Sequence, residues 1–197
     1  MSLVTDIDNL LPQTQCRACG FNGCRPYAQA LASGVATIDK CPPGGKETLI
    51  GLAKLLKQDA SPYLEAMKDS YRPPQVAVID ESQCIGCTKC IKACPVDAIV
   101  GSAKHMHHIL AVDCTGCGLC VEPCPVDCIQ MQELPEITYD KDRARTRYQA
   151  HLERLDKEAR DGAQRRQATH LSQAPTHAKQ DYIQQALLRM QNKKSST

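Results

Sequence analysis

The sequence predicts an α+β protein in three parts: a small helical module with four cysteines, a pseudo-twofold domain with two cysteine-rich halves, and a helical basic tail. One cysteine pattern occurs at residues 84–95 and again at 114–125, and a looser set of four cysteines precedes both runs. The charge also changes along the chain. Residues 1–140 hold 11 Lys+Arg and 16 Asp+Glu (−5), whereas residues 141–197 hold 13 and 6 (+7).

The repeated run reads CIGCTKCIKACP and then CTGCGLCVEPCP, which is Cys-x2-Cys-x2-Cys-x3-Cys-Pro twice. This spacing is typical of bacterial domains that bind two [4Fe-4S] clusters, in which the fourth cysteine of each run ligates the other cluster. The predicted ligand sets are therefore crossed. One set is Cys84, Cys87, Cys90 and Cys124, and the other is Cys114, Cys117, Cys120 and Cys94.

Disulfides and structural zinc are the alternatives for these cysteines. Disulfides are rare in reducing compartments, and the N-terminal residues lack the charged and apolar regions of a secretory signal. Four-cysteine zinc sites use two Cys-x2-Cys pairs separated by a longer loop, a pattern that neither run follows. The runs therefore favour iron–sulfur clusters.

The upstream set consists of Cys16, Cys19, Cys24 and Cys41, at a spacing of Cys-x2-Cys-x4-Cys-x16-Cys. Helices are predicted up to Pro12, over residues 25–33 and over residues 47–57. Because a single loose set is less diagnostic, zinc remains an alternative here. The proline after Cys41 and the neighbouring runs favour a third [4Fe-4S] cluster.

The predicted boundaries are 1–57 for the four-cysteine module, 58–74 for a linker, 75–135 for the domain with the two runs, and 136–197 for a charged helical tail that is partly disordered. Each half of the domain is expected to contain a strand, a cysteine loop, a short helix and a second strand. The repeat places Cys128 opposite Ala98, so this thirteenth cysteine is expected to be a small buried side chain near a cluster. The HMHH stretch at residues 105–108 is expected to be a solvated loop rather than a metal site.

The tail is expected either to keep the protein in solution or to dock through its positive charge to an acidic partner or an anionic membrane surface. The sequence disfavours nucleic acid as a partner, because the tail has few aromatic residues for base stacking. All predicted ligands precede the tail, so a chain cut after Asp140 is expected to keep its clusters. The chain contains no apolar run of the length that a membrane span needs, and the thiolate ligands favour the cytoplasm.

Taken together, the segments LLPQTQCRACGFNGCRPYAQAL, CPPGG and CVEPCPVDCIQM resemble the B subunit of the Rnf (Rsx) electron-transport complex over residues 3–133. The resemblance implies a four-cysteine [4Fe-4S] module, a two-cluster ferredoxin domain and three clusters in all. It also implies other Rnf/Rsx subunits as redox partners, on the cytoplasmic face of the inner membrane. The chain departs from that family at its N-terminus, where the family's membrane helix is not seen, and at its basic tail.

These features predict an electron-transfer protein. The sequence shows no nucleophile–base pair, nucleotide loop or flavin motif, so we expect one component of an oxidoreductase, without a substrate pocket of its own. A redox-sensing regulator, whose basic tail binds a partner when a cluster changes state, is the alternative.

Overall fold

The computed structural model describes residues 2–172 and 177–194. They fall into two compact units, Met1–Leu152 and Glu153–Thr197. All thirteen cysteines belong to the first unit. The described residues combine α-helices with two small antiparallel sheets, which confirms the predicted α+β class.

The four-cysteine module begins with helices α1 (Leu3–Leu10), α2 (Cys24–Ala32) and α3 (Gly45–Leu56), close to their predicted positions. Ser2 caps α1 by accepting a hydrogen bond from the backbone N–H of Thr5, as an N-cap serine does. The apolar faces of the helices meet in one core, because their buried residues recur at helical spacing. This core includes Ile7, Leu11, Tyr27, Leu31, Ile38, Leu49 and Leu52.

The predicted linker contains structure of its own. A 3₁₀ turn at Ser61–Tyr63 leads into helix α4 (Leu64–Ser70). Met67 on α4 is buried in the core of the four-cysteine module. Helix α4 therefore packs onto that module, and the extended connection is shortened to residues 71–74.

Residues 75–135, called the repeat domain below, contain two strand pairs that cross between its halves. Strand β1 (Gln75–Ile79) pairs with β4 (Ile129–Glu133), and β2 (Ile99–Val100) pairs with β3 (His108–Ile109). The registers match at an offset of thirty residues, because Ile79 faces Ile129 in one sheet and Ile109 faces Ile99 in the other. The outermost strands thus close the domain around the two cysteine runs.

Only the first half contains the predicted short helix, α5 (Lys89–Ala93). The equivalent residues of the second half form turns, so the prediction of a second helix is wrong. Pro123 stands where the first half has Ala93, and a proline has no N–H to donate to the preceding turn.

Helix α6 runs over Lys141–Ser172, and helix α7 over His177–Lys194. Residues 141–152 belong to the first unit, whereas the predicted tail began at residue 136. Ala144 and Tyr148 are buried, which explains why this part of the tail packs as core. Residues 191–194 lie in α7 rather than in the predicted disordered end. Pro175 and residues 195–197 lie outside the described residues.

Candidate metal centres

The four cysteines of the upstream set line one small, mostly apolar cavity. The loop after α1 contributes Cys16 and Cys19, the first residue of α2 is Cys24, and Cys41 precedes a 3₁₀ turn at Pro42–Gly44. Leu11, Tyr27 and three prolines are among the other residues that line it. The structure therefore brings together the whole predicted set.

Two buried glutamines hold the loop of this set in place, and sequence reasoning missed both. The side chain of Gln13 donates to the backbone oxygen of Asp8 at 2.7 Å, and the side chain of Gln15 donates to Gln13 at 2.8 Å. Gln15 also accepts from the backbone N–H of Cys24 at 2.8 Å. Both glutamines have positive φ, so these hydrogen bonds stabilise a backbone conformation that side chains otherwise disfavour.

The repeat domain contains two more cysteine-lined cavities. One is lined by Cys84, Cys87, Cys90 and Cys124, and the other by Cys94, Cys114, Cys117 and Cys120. In each cavity three cysteines come from one run and the fourth from the other run. This grouping is the crossed arrangement that the spacing predicts.

Two glycines allow the cysteine loops to fold tightly. Gly86 has a φ of +66°, and a Cβ there would collide with the backbone of His105. Gly116, thirty residues later, has a φ of +68°, and a Cβ there would collide with the backbone of Gln75. At both positions only glycine combines the required φ with this close backbone approach.

His107 is buried, so the expectation of a solvated loop histidine is wrong at this position. Its side chain is 1% exposed, and Nδ1 lies 3.2 Å from Sγ of Cys90. The backbone N–H of His107 also donates to Sγ of Cys84 at 3.4 Å. Its neighbours His105 and His108 are exposed, as expected. The sequence does not distinguish the three histidines, because only the fold determines which one turns inward.

Cys128 is also buried and lines the cavity of Cys84, Cys87, Cys90 and Cys124. Its Sγ lies 3.5 Å from Sγ of Cys124. The expected buried position near a ligand set is confirmed.

Burial makes several of the cavity-lining thiols poor acids when no metal is bound. It raises the pKa of Cys24, Cys117 and Cys120 to about 12, because a buried thiolate loses its hydration. Nearby backbone N–H groups oppose this effect, for example that of Leu119 at Cys117. A cationic metal group that held these sulfurs as thiolates would therefore release protons on binding.

The upstream set and one set of the repeat domain lie next to each other. A cleft of about 300 Å³ is lined by Cys16 on one side and Cys117 on the other. Thr115 donates from Oγ1 to the backbone oxygen of Thr14 at 2.9 Å and so fixes this junction. The hydroxyl of Tyr139 donates to the backbone oxygen of Pro12 at 2.7 Å.

Residues 141–152 of α6, called the strap below, bind to both parts of the unit. Arg145 forms an ion pair with buried Asp8 at 2.8 Å, and Tyr148 donates to the backbone oxygen of Asn22 at 2.7 Å. Both partners lie in the four-cysteine module.

On the repeat domain, Arg143 forms an ion pair with buried Asp113 at 2.8 Å. Arg147 donates to the backbone oxygen of Val96 at 2.7 Å and contacts Asp113. The sequence revealed the positive charge of the tail. It did not reveal that the strap packs against the four-cysteine module and the repeat domain.

Within residues 2–172 and 177–194, no three His, Cys, Asp or Glu side chains have the geometry to hold a single metal ion. The thiols of each set are instead spread around a cavity.

Comparison with known proteins identifies two family models in the chain. The model of a 4Fe-4S dicluster domain, Fer4_21, matches residues 77–131. The model named FeS, an Fe-S cluster family, matches residues 11–43. The matched residues contain all three cysteine-lined cavities, and they establish that the chain contains iron–sulfur domains.

Three curated relatives share one name, that of the B subunit of the ion-translocating oxidoreductase complex. The protein from Alkalilimnicola ehrlichii is 59% identical over 129 residues, which are 66% of this chain and 69% of the relative. The protein from Pseudomonas aeruginosa is 60% identical over 130 residues, 66% of this chain and 67% of the relative. The protein from Hahella chejuensis is 60% identical over 133 residues, 68% of this chain and 66% of the relative.

None of the helices in the described ranges combines the length and the apolar character that crossing a membrane requires. The cysteine sets, the two matched iron–sulfur domains and the identity to these relatives agree, and the chain belongs to the family of B subunits of Rnf-type ion-translocating oxidoreductase complexes.

Proposed function

We propose that the chain binds three [4Fe-4S] clusters and passes single electrons along them between redox partners. Cys16, Cys19, Cys24 and Cys41 would hold the first cluster, Cys84, Cys87, Cys90 and Cys124 the second, and Cys94, Cys114, Cys117 and Cys120 the third. The observation that carries this proposal is that each set of four lines a cavity of its own.

The residues around the cavities fit an iron–sulfur cluster. Four thiols are available at each site, and the remaining walls are largely apolar, which excludes water from the ligands. Backbone N–H groups hydrogen-bond the sulfurs, such as that of Ala98, which donates to Cys94 at 3.2 Å. Such bonds stabilise negative charge on sulfur and set the reduction potential of a bound cluster.

A bound [4Fe-4S] cluster would supply one-electron chemistry. The protein's part is to fix the clusters at short distances from one another and to keep them dry. The cleft between Cys16 and Cys117 supports an order in which the cluster of Cys94, Cys114, Cys117 and Cys120 lies between the other two. The strap and the Thr115–Thr14 hydrogen bond hold this order in place.

We infer the partners from the relatives, which are named as components of an ion-translocating oxidoreductase complex. On this basis the chain serves as the B subunit of such a complex on the cytoplasmic face of the inner membrane, and exchanges electrons with its other subunits. Since Arg143, Arg145 and Arg147 form ion pairs within the first unit, docking of the tail to an anionic surface would rely on residues after 152.

Chemical analysis of anaerobically purified full-length protein tests the stoichiometry. We expect about twelve irons and twelve acid-labile sulfides per chain. About eight irons with one zinc would contradict the proposal and make the upstream set a zinc site.

Crossed ligation is tested with Cys94→Ser. This variant should damage the cluster of Cys114, Cys117 and Cys120 and spare that of Cys84, Cys87 and Cys90. Cys128→Ala should keep all its iron, because Cys128 is outside the proposed sets. Loss of a whole cluster in the Cys128 variant would contradict the assignment of ligands.

A further inference from the structure

The two cavities of the repeat domain are related residue by residue. Each of the ten residues that line the cavity of Cys84, Cys87, Cys90 and Cys124 has a counterpart, thirty positions away, that lines the other cavity. Seven of these ten pairs are identical, and the strand registers repeat at the same offset. The fold therefore supplies two nearly equal sites, which differ at the three other pairs and at Gly118, a residue that lines only the second cavity.

Two of the three differences place a hydrogen-bond donor next to a predicted ligand. His107 stands where the other cavity has Ala77, and Cys128 stands where it has Ala98. When Cys90 is a metal-bound thiolate it carries no proton, so Nδ1 of His107, 3.2 Å away, must donate. The same reasoning makes the thiol of Cys128 the donor to Cys124 at 3.5 Å. Alanine side chains offer no such donors.

The third difference adds no donor to the other cavity. Thr115 replaces Ile85 there, but its hydroxyl donates to the backbone oxygen of Thr14. Backbone donation to sulfur occurs at both sites, as from Ala98 to Cys94 and from His107 to Cys84. The side-chain donors are thus the main asymmetry in hydrogen bonding.

The surroundings of His107 favour contact with sulfur, rather than packing, as the role of the imidazole. Its Nε2 atom is buried and has no hydrogen-bond partner among the described residues. An unsatisfied buried nitrogen is unfavourable, so an alanine like Ala77 would be the simpler choice for packing. Gly101, with a φ of +147°, leaves the room for the ring, because a Cβ there would collide with it.

We propose that His107 and Cys128 make the cluster of Cys84, Cys87, Cys90 and Cys124 the more easily reduced of the two in the repeat domain, so that a first electron resides there. Hydrogen bonds to sulfur stabilise the reduced cluster, which carries one more negative charge. The step adds one electron from an external strong reductant; no bond forms or breaks, and no proton is transferred. This inference rests on the proposed clusters.

The position of the upstream set also favours placing the first electron on the cluster of Cys84, Cys87, Cys90 and Cys124. Cys16 and Cys117 share a cleft, so the anionic first cluster lies closer to the cluster of Cys94, Cys114, Cys117 and Cys120. A nearby negative charge makes reduction of that neighbour harder. Arg147 approaches the same side, but its charge is shared with Asp113.

The first experiment needs no variant. Full-length protein with ¹⁵N in its histidine rings is reduced to the potential at which one cluster of the repeat domain holds an electron. Pulsed electron paramagnetic resonance should then detect coupling of that electron to a histidine ring nitrogen. A one-electron state without this coupling would overturn the proposal.

The second experiment measures the reduction potentials of His107→Leu, His107→Asn and Cys128→Ala. Leu removes the donor and Asn keeps an N–H near the position of Nδ1. We expect His107→Leu to shift the distribution of the electron between the two clusters about tenfold, which is about 59 mV for a one-electron couple. Cys128→Ala should produce a smaller shift in the same direction, and His107→Asn should restore most of the potential.

His105→Ala is the matched control, because His105 lies in the same loop, is exposed and contacts Ser102 rather than a sulfur. Potentials of the His107→Leu and Cys128→Ala variants equal to that of this control would overturn the proposal. Iron and sulfide are measured first in every sample. A deficit of iron in the unmodified protein would count against the three clusters. Twelve irons with no difference in reduction potential between the two repeat-domain clusters would count against this inference alone.

Discussion

The four-cysteine module and the repeat domain both surround cysteine-lined cavities, but their cores differ in composition. One of the twelve buried residues in the core of the module is a cysteine. In the core built around the repeat domain, six of the fourteen buried residues are cysteines. The module therefore has an apolar core of helices beside its cysteine-lined cavity, whereas in the repeat domain five proposed ligands and Cys128 form much of the core. A small fold of the second kind depends on its metal for stability.

Removal of iron should produce the largest difference in stability between the four-cysteine module and the repeat domain. After anaerobic chelation we expect the amides of β1 and β4 to lose protection against hydrogen exchange, since their core loses its clusters. The amides of α3 should keep a large part of their protection, because Leu49 and Leu52 remain packed. Peptide-resolved hydrogen exchange measures both. Equal loss in the two regions would contradict the difference in core composition.

Truncation comes next in expected effect. A chain ending at Asp140 lacks the strap, so the buried carboxylates of Asp8 and Asp113 lose their arginine partners, and a buried charge without its partner destabilises the fold. The sequence alone led us to expect that this chain keeps its clusters; with the strap known, we expect it to release iron to a chelator much faster.

A chain ending at Leu152 is the matched control, because it keeps the whole strap. It should release iron at the rate of the full-length protein. Equal rates for the two truncated chains would show that the strap contributes nothing to holding the clusters.

A core substitution tests the apolar part of the module. Leu52→Ala should destabilise it by about 2–5 kcal/mol, because Leu52 is fully buried. Ile50→Ala is the control on the same helix, since Ile50 is 46% exposed and should change stability little. Hydrogen exchange of the α3 amides measures the loss of stability. The spectra of the repeat-domain clusters should stay unchanged. Loss of those clusters in the Leu52 variant would show that the two cores unfold together.

The smallest effect is expected at Gly20 in the module. Its φ is +82° and a Cβ there would meet no atom within 4 Å, so Gly20→Ala should cost only the backbone strain, about 1–2 kcal/mol. Gly116→Ala in the repeat domain is the comparison, because its Cβ would collide with the backbone of Gln75. Iron content after mild heating should fall more for the Gly116 variant. The reverse order would mean that the module's loop tolerates less change than the open space around Gly20 indicates.

The spacing of the cysteines predicted which thiols would meet, because a short loop between ligands leaves few alternative arrangements. Helical periodicity predicted α1, α2 and α3 for a similar local reason. The failures are nonlocal. His107 and its two neighbours look alike in sequence, and the arginines of the strap resemble those farther along α6. Their partners are distant in sequence: Asp113 lies 30 residues from Arg143, and Asp8 lies 137 residues from Arg145. Pro123, by contrast, was visible in the sequence and could have indicated that the second half of the repeat domain has no short helix.

The position of the strap in the chain has a consequence for biosynthesis. The ribosome makes the protein from its N-terminus, so the last proposed ligand, Cys124, emerges before Arg143, Arg145 and Tyr148. A nascent chain can therefore present all twelve proposed ligands while the contact between Asp8 and Arg145, 137 residues apart, cannot yet form. We expect insertion of iron and sulfide to be easiest in this interval. The contacts of the strap with the four-cysteine module and the repeat domain can form only after this interval.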